Sequence, residues 1–141
     1  MLSIHHRGSE ESPGLVLALD ENEQATCEGV AFFIEAEHSK KAIKDLRERE
    51  LVSSAYLEAT LPIKLETGEE VEAVSYVINR DNVQYCGGMP LEEQAQIIAR
   101  AVGGRGPNTE YLYNTCECLN GLGLDDADLA FLESRVRALT A

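Results

Sequence analysis

Residues 55–65 and 71–78 are two strand-like runs around Glu66-Thr67-Gly68-Glu69, and that pattern commits the middle of the chain to an antiparallel hairpin. Val71, Ala73 and Ser75 alternate with Glu72, Val74 and Tyr76, so neither face of the second strand is purely polar. Ahead of the hairpin, Leu15 to Leu19 reads as a short buried strand, and Asp20 to Glu23 as a turn. Ala25 to Ile34 reads as a further strand in which Gly29 marks a bulge or a close backbone approach. Glu35 to Leu51 is rich in strong helix formers and reads as a helix.

Behind the hairpin the period changes. Asn79 to Met89 reads as a loop, and Pro90 opens a helix whose stripe is Leu91, Ala95, Ile98 and Val102. Gly103-Gly104-Arg105-Gly106 ends it, and Pro107 opens the next, with Leu112, Cys116 and Leu119 on its inner face. Gly121 and Gly123 stop that helix; Asp125 caps a last one with the stripe Leu129, Leu132, Val136 and Leu139. Strands first, one helix among them and helices last predict an α+β fold: a mostly antiparallel, curled sheet, or partial barrel, with flanking helices. At 141 residues, a single domain over 1–141 is expected.

Charge narrows the function classes. There are 25 acidic residues against 12 basic ones, a formal net charge of −13. Such a surface repels phosphate backbones and anionic membranes, so neither nucleic acid nor membrane is expected as a partner. It does not steer an anionic peptide either, so a site for one must carry its own local donors. No stretch approaches the length needed to span a bilayer, and no apolar run follows Met1. The expectation is a cytoplasmic protein whose Cys27, Cys86, Cys116 and Cys118 are free thiols. No metal-ligand spacing surrounds Cys116-x-Cys118. Gly103 to Gly106 is no phosphate loop, because it follows a helix and no Lys-Ser/Thr comes after it. No metal or other cofactor is expected. His5, His6 and His38 read as surface or loop residues.

The most informative side chain is Glu50. At about 100° per residue, Ile43 and Leu46 define the apolar side of their helix, and Glu50 falls between them. Asp45 and Glu48 point toward solvent. A carboxyl on a core-facing stripe resists ionisation, and a raised carboxyl suits general acid–base work. Two plainer readings stand beside this one: a helix that frays near Glu50, or an ion pair with Arg47 three residues earlier. Arg49 reads as orienting a carboxylate or lying in solvent.

Four runs together resemble the ChaC family of γ-glutamylcyclotransferases. His6-Arg7-Gly8-Ser9-Glu10-Glu11-Ser12-Pro13-Gly14-Leu15-Val16-Leu17 is similar to the family's H-R-G-S/T-x-E-x-P-G-x-V-L run. Cys27-Glu28-Gly29-Val30-Ala31 resembles its C-x-G-V/L-A strand. Leu46-Arg47-Glu48-Arg49-Glu50-Leu51, with Tyr56 beyond, is similar to its L-x-x-R-E-M/L helix end. Gly104-Arg105-Gly106-Pro107-Asn108-Thr109-Glu110-Tyr111-Leu112 resembles its G-x-N-x-x-Y-L segment.

The resemblance implies the cyclotransferase fold, Glu50 as catalytic carboxylate, and Tyr111 and Asn108 beside the substrate. Tyr111 could equally be an amphipathic packing residue, and Asn108 could serve backbone groups at the helix start. The implied activity is a lyase reaction on glutathione, giving 5-oxoproline and Cys-Gly. Two alternatives are a cyclotransferase for other γ-glutamyl amines and a non-catalytic scaffold or binding protein. The family's opening strand and its Y-G-S-L turn have no counterpart here, so the domain is expected to be N-terminally truncated relative to the family. An open sheet edge would follow. A monomer is expected, with a strand-exchanged dimer as the alternative.

Overall fold

In the computed structural model, which describes residues 1–141, the chain runs through β1 (Leu2–Ser3), β2 (Gly14–Leu15), α1 (Ala36–Glu50), β3 (Tyr56–Lys64) and β4 (Glu70–Ile78). It continues through α2 (Leu91–Ile98), β5 (Val102–Gly103), β6 (Gly106–Pro107), α3 (Asn108–Gly121) and α4 (Ala127–Thr140). The strands form three two-stranded antiparallel sheets, β1–β2, β3–β4 and β5–β6, with no closed barrel. The chain divides into two compact units, one of residues 1–17 with 86–141 and the other of residues 18–85.

The first unit holds the helical core. Leu15, Ala95, Ile98, Leu112, Cys116, Leu129, Leu132 and Val136 are its buried members. Those of α2, α3 and α4 recur at helical spacing, as the stripes predict, and Leu15 joins them from β2. Burying each Leu, Ile or Val side chain among them is worth about 1.5–3 kcal/mol. Two stripe assignments need correction. Val102 is 60% exposed because α2 closes at Ile98, and the following residues turn into the short β5–β6 pair. Leu139 is 38% exposed at the end of α4, beyond the reach of the core. The N-cap of α4 is Asp126 rather than Asp125; its carboxylate accepts from the Leu129 N–H at 2.9 Å.

The glycines of this unit explain the spacing around them. A Cβ on Gly14 would lie 2.1 Å from the Arg7 carbonyl oxygen, and one on Gly103 would lie 2.4 Å from the Gly8 nitrogen. The segments around Arg7, Gly14 and Gly103 are therefore stacked backbone on backbone, which only glycine permits. Gly104 and Arg105 N–H groups donate to the His5 and His6 carbonyls at 2.7 and 2.9 Å.

The second unit is built on the hairpin. Its register pairs Tyr56 with Ile78 and Lys64 with Glu70, close to the expected strand bounds. Gly68 turns the chain with φ of 87°, a conformation costly for any side chain. Ile78 N–H donates to the Leu19 carbonyl at 2.8 Å, so the chain touches the hairpin edge there as an isolated bridge. The expected strand over Leu15–Leu19 is reduced to β2 and that bridge; Leu17 is 53% exposed. The expected strand over Ala25–Ile34 does not form, and Phe32 and Phe33 are 85% and 86% exposed. Strand propensity counts only where a neighbouring strand pairs the backbone, and no ladder runs beside these residues.

Candidate active site

Helix α1 has no fully buried residue, so what it covers is a stripe. Ala42, Ile43, Leu46 and Glu50 are the half-buried positions along its second half, while Asp45 and Glu48 are exposed. Glu50 thus lies on the covered side, as the periodicity predicts. The helix does not fray ahead of it: Glu50 is its last residue, and the Leu51 N–H still donates to the Arg47 carbonyl at 3.0 Å. The side chain is 24% exposed and accepts from Arg49 Nε at 2.8 Å.

Arg47 does not pair with Glu50. Its Nε and Nη2 donate to the two oxygens of Glu58 at 2.8 and 2.7 Å, a forked contact between α1 and β3. Glu58 lies directly across the hairpin from Tyr76, whose hydroxyl donates to it at 3.0 Å. The Arg47 guanidinium, helped by the Tyr76 hydroxyl, holds the Glu58 carboxyl down at about 2, against the resistance of burial. The Tyr76 phenol is pushed up by burial first, then by Glu58, with the nearby Glu50 adding in the same direction. Arg47, Glu50, Glu58 and Tyr76 therefore share one electrostatic neighbourhood.

A carboxyl held low in the fold stabilises it above its unfolded value and loses that contribution as pH falls through its folded value. The Glu58 contribution is complete above about pH 4.5 and lost on acidification toward about 2. The melting-temperature gap between the wild type and Glu58→Gln is therefore expected to be larger at neutral pH than at about pH 2, where it closes. Thermal melts at the two pH values check this; a gap independent of pH contradicts it.

Tyr111 and Asn108 belong to the first unit, at the start of α3. The Tyr111 hydroxyl accepts from the Leu17 N–H at 3.1 Å. The Arg7 guanidinium stands 5.9 Å from its ring centroid and donates to the Pro107 carbonyl at 3.1 Å and to Glu110 at 3.4 Å. Arg7, Tyr111, Asn114, Thr115, Cys118 and Leu119 line a cavity of about 310 Å³. Its one cation is a local donor in an otherwise acidic chain.

Asn108 is fully buried. Its Oδ1 accepts from the Leu15 N–H at 2.6 Å and its Nδ2 donates to the Leu15 carbonyl at 2.7 Å. The carboxamide mimics a strand partner, and it serves Leu15 rather than the backbone at its own helix start.

Sequence reading missed Glu58, Tyr76 and Arg7. The hairpin itself carried the signal for the first two, because a turn at Gly68 sets Glu58 opposite Tyr76. Arg7 becomes visible only once residues far apart in the chain meet.

The family model described as "ChaC-like protein" matches residues 1–139. The chain is 31% identical over 141 residues to γ-glutamylcyclotransferase 2-3 of Arabidopsis thaliana, covering 96% of this chain and 71% of that protein. It is 33% identical over 138 residues to glutathione-specific γ-glutamylcyclotransferase 1 of Danio rerio, covering 96% and 70%. A solved glutathione-specific γ-glutamylcyclotransferase from yeast superposes with a TM-score of 0.79 at 20% identity, covering 99% of this chain and 84% of that one. The yeast structure establishes the fold, and the match along nearly the whole sequence places this chain in the ChaC-like family.

Proposed function

We propose that this chain is a glutathione-specific γ-glutamylcyclotransferase, a lyase that converts glutathione into 5-oxoproline and Cys-Gly. The carrying observation is the 33% identity, over 96% of the chain, to a relative named for that activity. The α-amine of the γ-glutamyl group attacks the γ-carbonyl carbon of the same group. A C–N bond closes the five-membered ring, and the bond to the cysteine nitrogen breaks. The attacking ammonium loses a proton and the departing amine gains one. Holding the bent conformer supplies proximity, so the protein's main task is to move that proton.

We assign both transfers to Glu50. In support, its carboxylate ends a helix on the covered stripe and accepts from the exposed Arg49. Tyr111 is assigned to substrate binding, in keeping with its place on a cavity lined also by Arg7. Asn108 is assigned to the same region by position, since it fixes Leu15, two residues from the Leu17 amide that meets Tyr111. Tyr111→Phe is expected to raise KM about two- to tenfold, the worth of one hydrogen bond, with a smaller change in kcat. Steady-state kinetics check this; a loss confined to kcat contradicts it.

A cytoplasmic setting belongs to the same reading. All four cysteines are free, and no helix is long and apolar enough to cross a membrane.

The test is a substrate panel of glutathione and other γ-glutamyl amines, with 5-oxoproline quantified. Release from glutathione above the others is the expected result. The Arabidopsis relative is named without a glutathione specificity. Release from other γ-glutamyl amines but not from glutathione would move the assignment to that broader class. No release from any substrate would leave a binding or scaffold protein.

A further inference from the structure

The Arg47–Glu58–Tyr76 cluster takes no part in the proton transfers assigned to Glu50, yet its pairing bears on Glu50. Arg47 and Glu50 are three residues apart on α1, the spacing at which helix side chains of opposite charge ordinarily pair. Here that pair is not made. Both forks of the guanidinium are taken by Glu58, at 2.8 and 2.7 Å. Glu58 is itself held from across the hairpin by the Tyr76 hydroxyl at 3.0 Å. Its side chain is 23% exposed, against 56% for Arg47, so the anchor is the better-covered partner. The remaining cation at Glu50 is Arg49, 70% exposed, and a pair so open to water is weak and readily broken by an arriving substrate.

We propose that Glu58 is a positioning residue for Glu50: it captures the Arg47 guanidinium and so withholds the cation that would otherwise close an ion pair with Glu50. The proposal rests on the reading of Glu50 as proton carrier. A carboxylate forked to arginine is a weaker base, and its oxygens are occupied when the substrate ammonium must reach them. The charged and titratable groups around Glu50 include Arg49 from α1, in direct contact, and Tyr76 from β4, through which Arg47 and Glu58 are joined to the same neighbourhood. Among these, Glu58 decides which way Arg47 turns. Tyr76, directly opposite it in the register, keeps the Glu58 carboxylate in place.

The test compares kcat and the pH profile of kcat/KM for the wild type, Glu58→Gln and the double variant Arg47→Gln/Glu58→Gln. Glutamine keeps the size of residue 58 and an acceptor for the Tyr76 hydroxyl, so the hairpin is expected to persist. Thermal melts of all three proteins verify this. In Glu58→Gln the freed guanidinium turns to Glu50. We expect kcat to fall about tenfold and the acid limb of the profile to move to lower pH. Removing Arg47 as well is expected to bring kcat back to within about threefold of the wild type and to return the acid limb. A Glu58→Gln enzyme with unchanged kcat and profile overturns the proposal. So does a double variant no better than the single, which would make Glu58 only a clasp between helix and hairpin. An inactive wild type, or an active Glu50→Gln, strikes instead at the assignment of Glu50 on which this proposal stands.

Discussion

Glu50→Gln is expected to lower kcat for glutathione cyclisation by about 10²–10⁴-fold, the usual cost of removing a general acid–base group. Glutamine has the size and nearly the shape of glutamate but cannot take the ammonium proton. KM is expected to stay within about threefold, because the lost interaction belongs to the transition state. The fold is expected to survive. The only ion pair lost is with Arg49, which is 70% exposed, and pairs of that kind are worth about 0–1 kcal/mol. Steady-state kinetics alongside a thermal melt separate the two effects. A variant that melts like the wild type and turns over normally would remove Glu50 from the mechanism.

Asn108→Ala is expected to cost about 3–5 kcal/mol of stability. The side chain is fully buried and both ends of its carboxamide are used, at 2.6 and 2.7 Å from the Leu15 backbone. Truncation leaves a buried N–H and a buried C=O unpaired, each costing about 1–3 kcal/mol, and opens a small cavity. Whole domains are stable by only about 5–15 kcal/mol, so the melting temperature is expected to drop by more than about 10 °C. Asn108→Asp keeps the volume and the acceptor for the Leu15 N–H, but sets a carboxylate oxygen against the Leu15 carbonyl. It is expected to be comparably destabilised, which shows that the donor matters and not merely the filled space. A loss below about 1 kcal/mol for both variants would show that Leu15 finds other partners.

The contrast between Glu50 and Glu58 shows what was legible in the sequence. Glu50 declares itself by helical periodicity, a local property, and α1 presents it on the expected side. The role of Glu58 depends on Arg47 and Tyr76, which are separated from it by 11 and 18 residues, so no local pattern contains it. The hairpin is readable because Gly68 sits in a turn between two strand-like runs. Ala25 to Ile34 has equally strand-like residues but no ladder, because a strand is a property of two segments and propensity describes one. Val102 failed for a related reason. Its spacing continues the α2 stripe, but Gly103 must lie against the Gly8 backbone, and that packing draws Val102 into β5 instead. Asn108 stands near a helix start in the sequence, but its partner, Leu15, lies 93 residues earlier.

The proposed reaction is an internal ring closure in which a protein carboxylate moves a proton and water takes no part. Product analysis in ¹⁸O-enriched water tests it most directly. Wild-type protein with glutathione is expected to yield 5-oxoproline and Cys-Gly in equal amounts, with no ¹⁸O in either. Glutamate carrying one ¹⁸O in place of 5-oxoproline would mean hydrolysis by an activated water, and would contradict the account.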